Sequence, residues 1–303
     1  MRICVFGAGA LGSAIGGLLA RNHEVVLVGR RAHVNAVKAR GLQLLGDARM
    51  RVRVDAVENL ARIAPTDLVI LTTKAYDTGD AVVALKEWAD DRTLVLTLQN
   101  GLGNLEQLRR WKGRRAFGGV TTMGATLLGP GQVRISGLGR TAVGSDSDPR
   151  GARIIADAFA SAGIPASTES DIFRTLWSKA VVSACINPTT AVLGVTNGRL
   201  LESRVIRKLL ADISTECVAV AAQEGVSLEA RELTRRVMNV ARDTAKNRSS
   251  MLQDIEKGKR TEIHQINGAF AALGDKHRIP TPLNDVLTAL IEALERRPRT
   301  QKG

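Results

Sequence analysis

Met1-Arg-Ile-Cys-Val-Phe-Gly-Ala-Gly-Ala-Leu-Gly12 governs how the rest of the chain is read, because a short β-prone run passes directly into Gly7-x-Gly9-x-x-Gly12 and then into helix-forming residues. That order is the context a dinucleotide-binding turn requires. Gly7 makes the tight turn, Gly9 lets the backbone approach a pyrophosphate, and Gly12 lets helix and strand pack closely. Ala8, Ala10 and Leu11 complete the loop, and the helix N-terminus behind it attracts negative charge. A rival reading exists, since Ile3 to Ala20 is almost free of charge and follows Arg2, as in a targeting segment. Gly7, Gly9, Gly12, Gly16 and Gly17 suit a turn and close packing better than an apolar targeting helix, and Glu24-Val-Val-Leu-Val28 follows as the second strand of a βαβ unit.

A site selective for NAD usually ends that second strand with Asp or Glu to hold the ribose 2′-hydroxyl, but here the strand ends Val28-Gly29-Arg30-Arg31. The missing carboxylate and a guanidinium from Arg30 or Arg31 point to NADPH, whose 2′-phosphate a charge-assisted contact would hold.

The 303 residues are enough for two domains with substantial cores, and 44% hydrophobic with 24% charged residues is the composition of a globular protein. No second apolar stretch reaches transmembrane length, so no membrane partner is expected. Cys4, Cys185 and Cys217 have neither disulfide spacing nor a CxxC motif, and with four scattered histidines they offer no recognisable metal site, which suits a reducing cytoplasm. A net charge of +13 raises nucleic-acid binding as a function, yet only 3% of the residues are aromatic, leaving little for base stacking. Basic runs such as Arg109-Arg-Trp-Lys-Gly-Arg-Arg115 and Arg296-Arg-Pro-Arg299 read as solvated faces that also draw in anionic cofactor and substrate. No nucleic-acid partner is expected.

Two grammars divide the chain. Up to about residue 145, short β-branched runs alternate with helical stretches: Asp67 to Thr73, Thr93 to Leu98 and Ala116 to Thr122 read as strands buried on both faces of a parallel sheet. Gln132 to Ser136 and Arg140 to Gly144 flank Gly137-Leu-Gly139 and predict a hairpin closing one edge. Beyond Ile172 the pattern is helical, over Phe173 to Ala191, Leu200 to Glu224, Leu228 to Ala245, Thr261 to Leu273 and Asn284 to Glu295, with the last six residues frayed. The fold expected is an α/β Rossmann-type nucleotide-binding domain over 1–168 followed by an all-helical substrate and dimerisation domain over 169–303, whose long apolar helices are of a kind that supports a homodimer.

Lys74 and Gln99-Asn100-Gly101 each follow a strand's carboxyl end, where open α/β sheets bind ligands. In the helical half, Lys179, Ser183 and Asn187 recur at i, i+4 on one helix face that is otherwise Ala, Val and Ile. Ser250-x-x-Gln253 has capping-box spacing, so Ser250 serves as an N-cap, and a helix N-terminus also receives a carboxylate.

Gly7 to Gly12, Lys74-Ala-Tyr-Asp77, Gln99-Asn-Gly101, Lys179 with Asn187-Pro188, Asn197-Gly198, Ser249 to Asp254 and Thr261-Glu262-Ile263 with Ile266-Asn-Gly268 together resemble the ketopantoate reductase (2-dehydropantoate 2-reductase) family, in order and across nearly the whole chain. The resemblance implies an NADPH-dependent reduction of a small 2-oxo acid, 2-dehydropantoate, to (R)-pantoate on the way to pantothenate and coenzyme A. It makes Lys179 the general acid, with Glu262 beside it and the cofactor. It gives Arg30 the 2′-phosphate, and Lys74, Asn100 and Ala125 further cofactor contacts. Substrate would be held by Asn100, Lys179, Ser183, Asn187, Asn197, Asn247 and Ser250.

Ser250 and Glu262 would lie about 18 Å apart on a straight helix, so one small ligand reaches both only if the helix breaks. Gly258 is the expected break, with Glu262 in the first turn of the longer helix beyond it. Ser183 departs from the family pattern, which commonly has asparagine there, and leaves room for reduction of a different branched 2-oxo acid. A non-catalytic, regulatory NADPH-binding protein is the other alternative, against which Lys179 and Glu262 stand.

Overall fold

A computed structural model describes residues 1–297; the expectation of frayed residues at 298–303 lies outside the described residues. The chain forms two compact units, one from Met1–Gln99 with Gly103–Ile172, the other from Asn100–Leu102 with the helices that follow Phe173.

The first unit opens with β1 (Arg2–Phe6), α1 (Ala10–Leu19), β2 (Glu24–Val28), α2 (Arg31–Arg40), β3 (Leu42–Gly46), β4 (Met50–Val52), β5 (Asp55–Val57) and β6 (Leu68–Leu71). It continues through α3 (Thr78–Trp88), β7 (Leu94–Thr97), α4 (Asn104–Lys112), β8 (Ala116–Thr121), β9 (Ala125–Gly129), β10 (Gln132–Ile135), β11 (Thr141–Gly144), α5 (Pro149–Ser161) and β12 (Ala166–Thr168). Eight strands form one sheet in the order β12-β11-β8-β7-β6-β1-β2-β5, parallel except where β11 meets β8. Every residue of β6 and β7 is buried, which is why these segments read as continuous apolar runs. From β1 the chain runs outward to β2 and then returns to the other side through β6, so the crevice beside the carboxyl end of β1 is the topological switch point.

The remaining strands form a second sheet, β4-β3-β10-β9. Between the two sheets, α1 has no polar face. A Cβ at Gly16 would lie 2.5 Å from a Leu27 methyl of the large sheet, and one at Gly17 would lie 2.9 Å from methyls of Leu42 and Leu44 in the small one. Burial on both sides explains why Ile3 to Ala20 carries no charged residue.

The hairpin expected at 132–144 is not formed. Gln132–Ile135 pairs with β9 and β3 in the small sheet, whereas Thr141–Gly144 pairs with β8 in the large one. The actual hairpin is β9–β10, turned at Pro130-Gly131 with Gly131 at φ +77°. Val133 and Ile135 are fully buried beneath the second sheet, and Gly137-Leu-Gly139 carries the chain from one sheet to the other.

The second unit contains α6 (Ile172–Leu193), α7 (Arg204–Gln223), α8 (Ala230–Asp243), α9 (Ser250–Glu256), α10 (Asn267–His277) and α11 (Pro282–Glu295). Pro188 lies inside α6 and has no N–H to give to the carbonyl of Ala184. Asn267 Nδ2 supplies that bond at 3.1 Å, and the hydroxyls of Thr189 and Thr190 bond back to the carbonyls of Cys185 and Ile186, so the helix continues. Trp177 and Phe270 meet edge to face at 5.7 Å, fixing α6 against α10. The helix expected from Leu200 begins instead at Arg204, capped by Ser203, because Asn197–Leu201 is a separate 3-10 turn. Among the described residues, no helix is long and apolar enough to cross a membrane.

Candidate active site

At the switch point the backbone makes the cradle. Gly7 has φ +112°, and a Cβ there would lie 2.4 Å from the Thr73 amide nitrogen, while one at Gly12 would lie 2.4 Å from the Gly7 carbonyl oxygen. Those two glycines are required by the protein itself. Gly9 is different: it is exposed, and a Cβ there would meet only the Gly7 carbonyl, at 3.9 Å. No atom of the described residues demands glycine at that position, which leaves close approach by a ligand as its use. The first turn of α1 has neither a side-chain cap nor an acidic residue, so its amides and positive dipole end suit a pyrophosphate. The turn therefore fits a dinucleotide.

Hydroxyls and one amide brace this cradle. Thr72 Oγ1 donates to the Gly7 carbonyl at 2.9 Å. Gln99, 5% exposed, donates from Nε2 to Thr73 Oγ1 and Thr78 Oγ1 at 3.0 and 2.9 Å, tying the end of β7 to the loop that carries part-buried Lys74. In the sequence Gln99 stands in a motif without a role of its own and Thr72 in none; the signal for this brace is the pair of adjacent threonines between a buried strand and Lys74.

Arg30 and Arg31 separate clearly. Arg31 pairs with Glu58 at 3.5 Å, whereas Arg30, exposed at the N-cap of α2, makes no ion pair among the described residues. Beneath them lies His33, 6% exposed. Its Nδ1 accepts from the Gly131 amide at 3.2 Å, which leaves Nε2–H to donate to Ser13 Oγ at 3.1 Å. The Nδ1 bond needs a neutral ring, and burial holds the His33 pKa below the ordinary histidine value. Ala125 begins β9 and packs, part-buried, against the core of this unit.

The second unit gathers charged and amide side chains. Lys179, Ser183 and Asn187 lie on α6 as a part-buried stripe among fully buried Ala180, Val181, Ala184, Cys185 and Ile186. Burial holds the Lys179 pKa down at about 8, and the Glu262 carboxylate draws it back upward. Glu262, 5% exposed, accepts from Asn100 Nδ2 at 3.3 Å. Asn100 arrives with Gly101 and Leu102, which belong to this unit. The Leu102 amide donates to the Gln265 carbonyl at 2.9 Å, and a Cβ on Gly101, at φ +83°, would lie 2.3 Å from that oxygen. Glycine at 101 thus serves close approach to the 261–266 segment.

That segment differs from expectation. Gly258 does end α9, at φ +58°, but Glu262 is not in the first turn of a long helix. It caps a single 3-10 turn, Ile263–Gln265, and α10 begins only at Asn267. Thr261, Ile263 and Ile266 are buried, so the chain turns to satisfy their packing rather than helical periodicity.

The amides and hydroxyls expected to hold substrate form a second group. The Asn197 backbone amide donates to the Asn247 carbonyl at 3.0 Å, and Asn197 Nδ2 donates to Thr244 Oγ1 at 2.9 Å, leaving the buried Asn197 Oδ1 without a partner among the described residues. Ser249, not Ser250, caps α9: its Oγ accepts from the Leu252 amide at 3.1 Å and from Thr190 Oγ1 at 2.7 Å. Ser250 begins the helix with an exposed side chain, and Gln253 turns back to the Arg248 carbonyl at 3.0 Å. Ser249 also donates to the Asn187 carbonyl, so Asn187 is joined to the loop that presents exposed Asn247 and Ser250.

Fold and cradle define a Rossmann-type dinucleotide-binding protein. Within that class, residues 3–148 match the family model described as ketopantoate reductase PanE/ApbA and residues 171–295 match its C-terminal model, so the chain belongs to the ketopantoate reductase family. It is 37% identical to the 2-dehydropantoate 2-reductase of Pyrococcus horikoshii over 97% of this chain and 98% of that one. Two solved structures resemble it over 97% of its length and 98% of theirs. One is a PanE/ApbA family ketopantoate reductase from Ralstonia eutropha, at 34% identity and TM-score 0.90. The other is a D-mandelate dehydrogenase bound to NADH and anilino(oxo)acetate, at 30% identity and TM-score 0.92.

Proposed function

We propose that this enzyme reduces 2-dehydropantoate to (R)-pantoate with NADPH. The observation that carries the reading is Lys179: a lysine on an apolar helix face, its pKa lowered to about 8 by burial, with the Glu262 carboxylate as its charged neighbour. An ammonium so tuned is a competent general acid near neutral pH. A nicotinamide dinucleotide, when bound, supplies the hydride. Lys179 Nζ donates a hydrogen bond to the C2 oxygen of the 2-oxo acid and then gives its proton to that oxygen as negative charge develops. Glu262 keeps the ammonium protonated until then, and Asn100 holds the Glu262 carboxylate.

Asn187, Asn197, Asn247 and Ser250 are assigned to the hydroxyl and carboxylate of the substrate. The buried Oδ1 of Asn197, unpaired among the described residues, is an acceptor suited to a substrate hydroxyl. Preference for NADPH over NADH is supported by Arg30, which has no ion pair among the described residues, and by the absence of a carboxylate at the end of β2. Lys74 and Ala125 are assigned to the dinucleotide.

Ser183 and the likeness to a mandelate dehydrogenase favour one second reading, a pocket that takes a bulkier 2-oxo acid. Steady-state oxidation of NADPH and NADH with 2-dehydropantoate, 2-oxoisovalerate, 2-oxopantolactone and phenylglyoxylate tests both. The expected outcome is the highest kcat/KM with 2-dehydropantoate and NADPH; a tenfold preference for another acid would overturn the substrate assignment and leave the reductase class.

A further inference from the structure

We propose that Glu295, on the last turn of α11, is a positioning residue for the Lys179–Glu262 pair and acts through the main chain of Thr261. The proposal rests on the assignment of that pair above. Its Oε1 accepts the Thr261 N–H at 2.7 Å, one residue before Glu262 and 34 residues away in sequence. A charged acceptor makes this a strong bond, and it is part-buried.

The segment needs such a tie because its own structure cannot fix Glu262. It has one 3-10 turn of three residues, closed by the Gln265 and Ile266 amides on the Glu262 carbonyl, and Ile266 leaves it at φ −107°, ψ −93°. A turn this short has few internal bonds to resist displacement. Outside partners compensate: Glu295 on the Thr261 amide, Leu102 on the Gln265 carbonyl, and Asn100 on the Glu262 carboxylate. Glu295 holds the N-terminal end, where the chain enters from the loop after Gly258.

Several charged groups border this arrangement. Lys179 approaches from α6, while Glu292 on α11 pairs with His264 at 3.3 Å and with Arg296 at 3.2 Å. Glu262 is the charged group that raises the Lys179 pKa against its burial. Displacing Glu262 therefore lets the ammonium lose its proton at lower pH. Since the protonated lysine is the acid, the basic limb of the kcat profile would move toward lower pH. Loss of folded protein lowers the height of that profile without moving its limb.

The test compares Glu295→Ala, Glu295→Gln and Glu295→Asp with Glu262→Gln. Readouts are the pH dependence of kcat, the KM for dinucleotide, and the titration of Lys179 by NMR in 13C-lysine-labelled, cofactor-free protein. Glu295→Ala should lower kcat about tenfold and move both the basic limb and the Lys179 titration about half a unit or more downward, with dinucleotide KM unchanged. Glu295→Gln keeps a carbonyl acceptor without the charge and should restore most of the shift. Glu295→Asp keeps the charge on a shorter arm and should restore less. If Glu262→Gln moves the limb and neither Glu295→Ala nor Glu295→Asp does, the positioning role is overturned while the pair stands. If Glu262→Gln leaves the limb in place, the pair itself fails, and the proposal with it.

Discussion

The two regions assigned to the reaction are built from different materials. The dinucleotide cradle is backbone: glycines at 7 and 12 are there because a Cβ would strike Thr73 or the Gly7 carbonyl, and the useful groups are the bare amides at the start of α1. The Lys179 cluster is side chain, with an ammonium, a carboxylate and an amide drawn from residues 179, 262 and 100. A backbone cradle can be written in six consecutive residues, whereas a charge cluster needs several parts of the chain folded together. Failure should differ accordingly, through fold and affinity in the first region and through turnover in the second.

The largest effect belongs to the side-chain region. Lys179→Ala should lower kcat by roughly 10²–10⁴-fold, with dinucleotide Kd and Tm near wild type. Near-wild-type turnover in a substrate assay would remove Lys179 from the chemistry and erase the contrast.

Within the cradle, Gly9→Ala and Gly12→Ala should part company. At Gly12 the added Cβ meets backbone at 2.4 Å, so unfolding stability should fall by about 1–3 kcal/mol together with dinucleotide affinity. At Gly9 there is room, so Tm should hold while dinucleotide affinity drops tenfold or more, measured by fluorescence titration. Equal loss of Tm in both variants would show that Gly9 too is a packing glycine.

Arg30→Ala should weaken NADPH by about 1.5–3 kcal/mol and NADH hardly at all, while Arg31→Ala, which releases only the exposed Glu58 pair, should leave both close to wild type. Calorimetric titration with the two cofactors distinguishes the arginines. An Arg31 effect as large as that of Arg30 would reassign the phosphate contact.

Two pH dependences complete the series. kcat should decline as pH rises through about 8, because the acid form of Lys179 is lost there, and the decline should begin earlier in Glu262→Gln. The smallest effect concerns His33, whose pKa is lower folded than unfolded. The neutral ring stabilises the fold above the unfolded histidine pKa, and that contribution is lost as pH falls through it toward the lower folded value. Denaturant titrations at descending pH should show a shallower loss in His33→Gln; identical slopes would detach His33 from acid sensitivity.

Legibility in the sequence followed the reach of the interactions. Gly7 to Gly12 was readable because the turn is local. Lys179, Ser183 and Asn187 were readable because helical spacing alone puts them on one face. The basic run at 109–115 looked like a solvated face, yet Arg109 and Arg115 pair with Asp146 and Asp148, Lys112 reaches the Asp90 carbonyl, and the run braces α4 against the turn before α5. Ser250 has the spacing of a cap because Gln253 follows it, but Thr190, 59 residues before Ser249, holds Ser249 instead.

By itself, then, the sequence determined the nucleotide turn, the change from α/β to helical grammar and the polar stripe on α6, since each depends on residues within a few turns of one another. Only the tertiary structure decided that Arg31 pairs with Glu58 while Arg30 has no ion-pair partner among the described residues, that 132–135 and 141–144 enter different sheets, and that Glu262 sits before a 3-10 turn held by Glu295 and Leu102. These outcomes rest on hydrogen bonds and buried contacts between residues tens of positions apart, whose partners periodicity and local spacing do not specify.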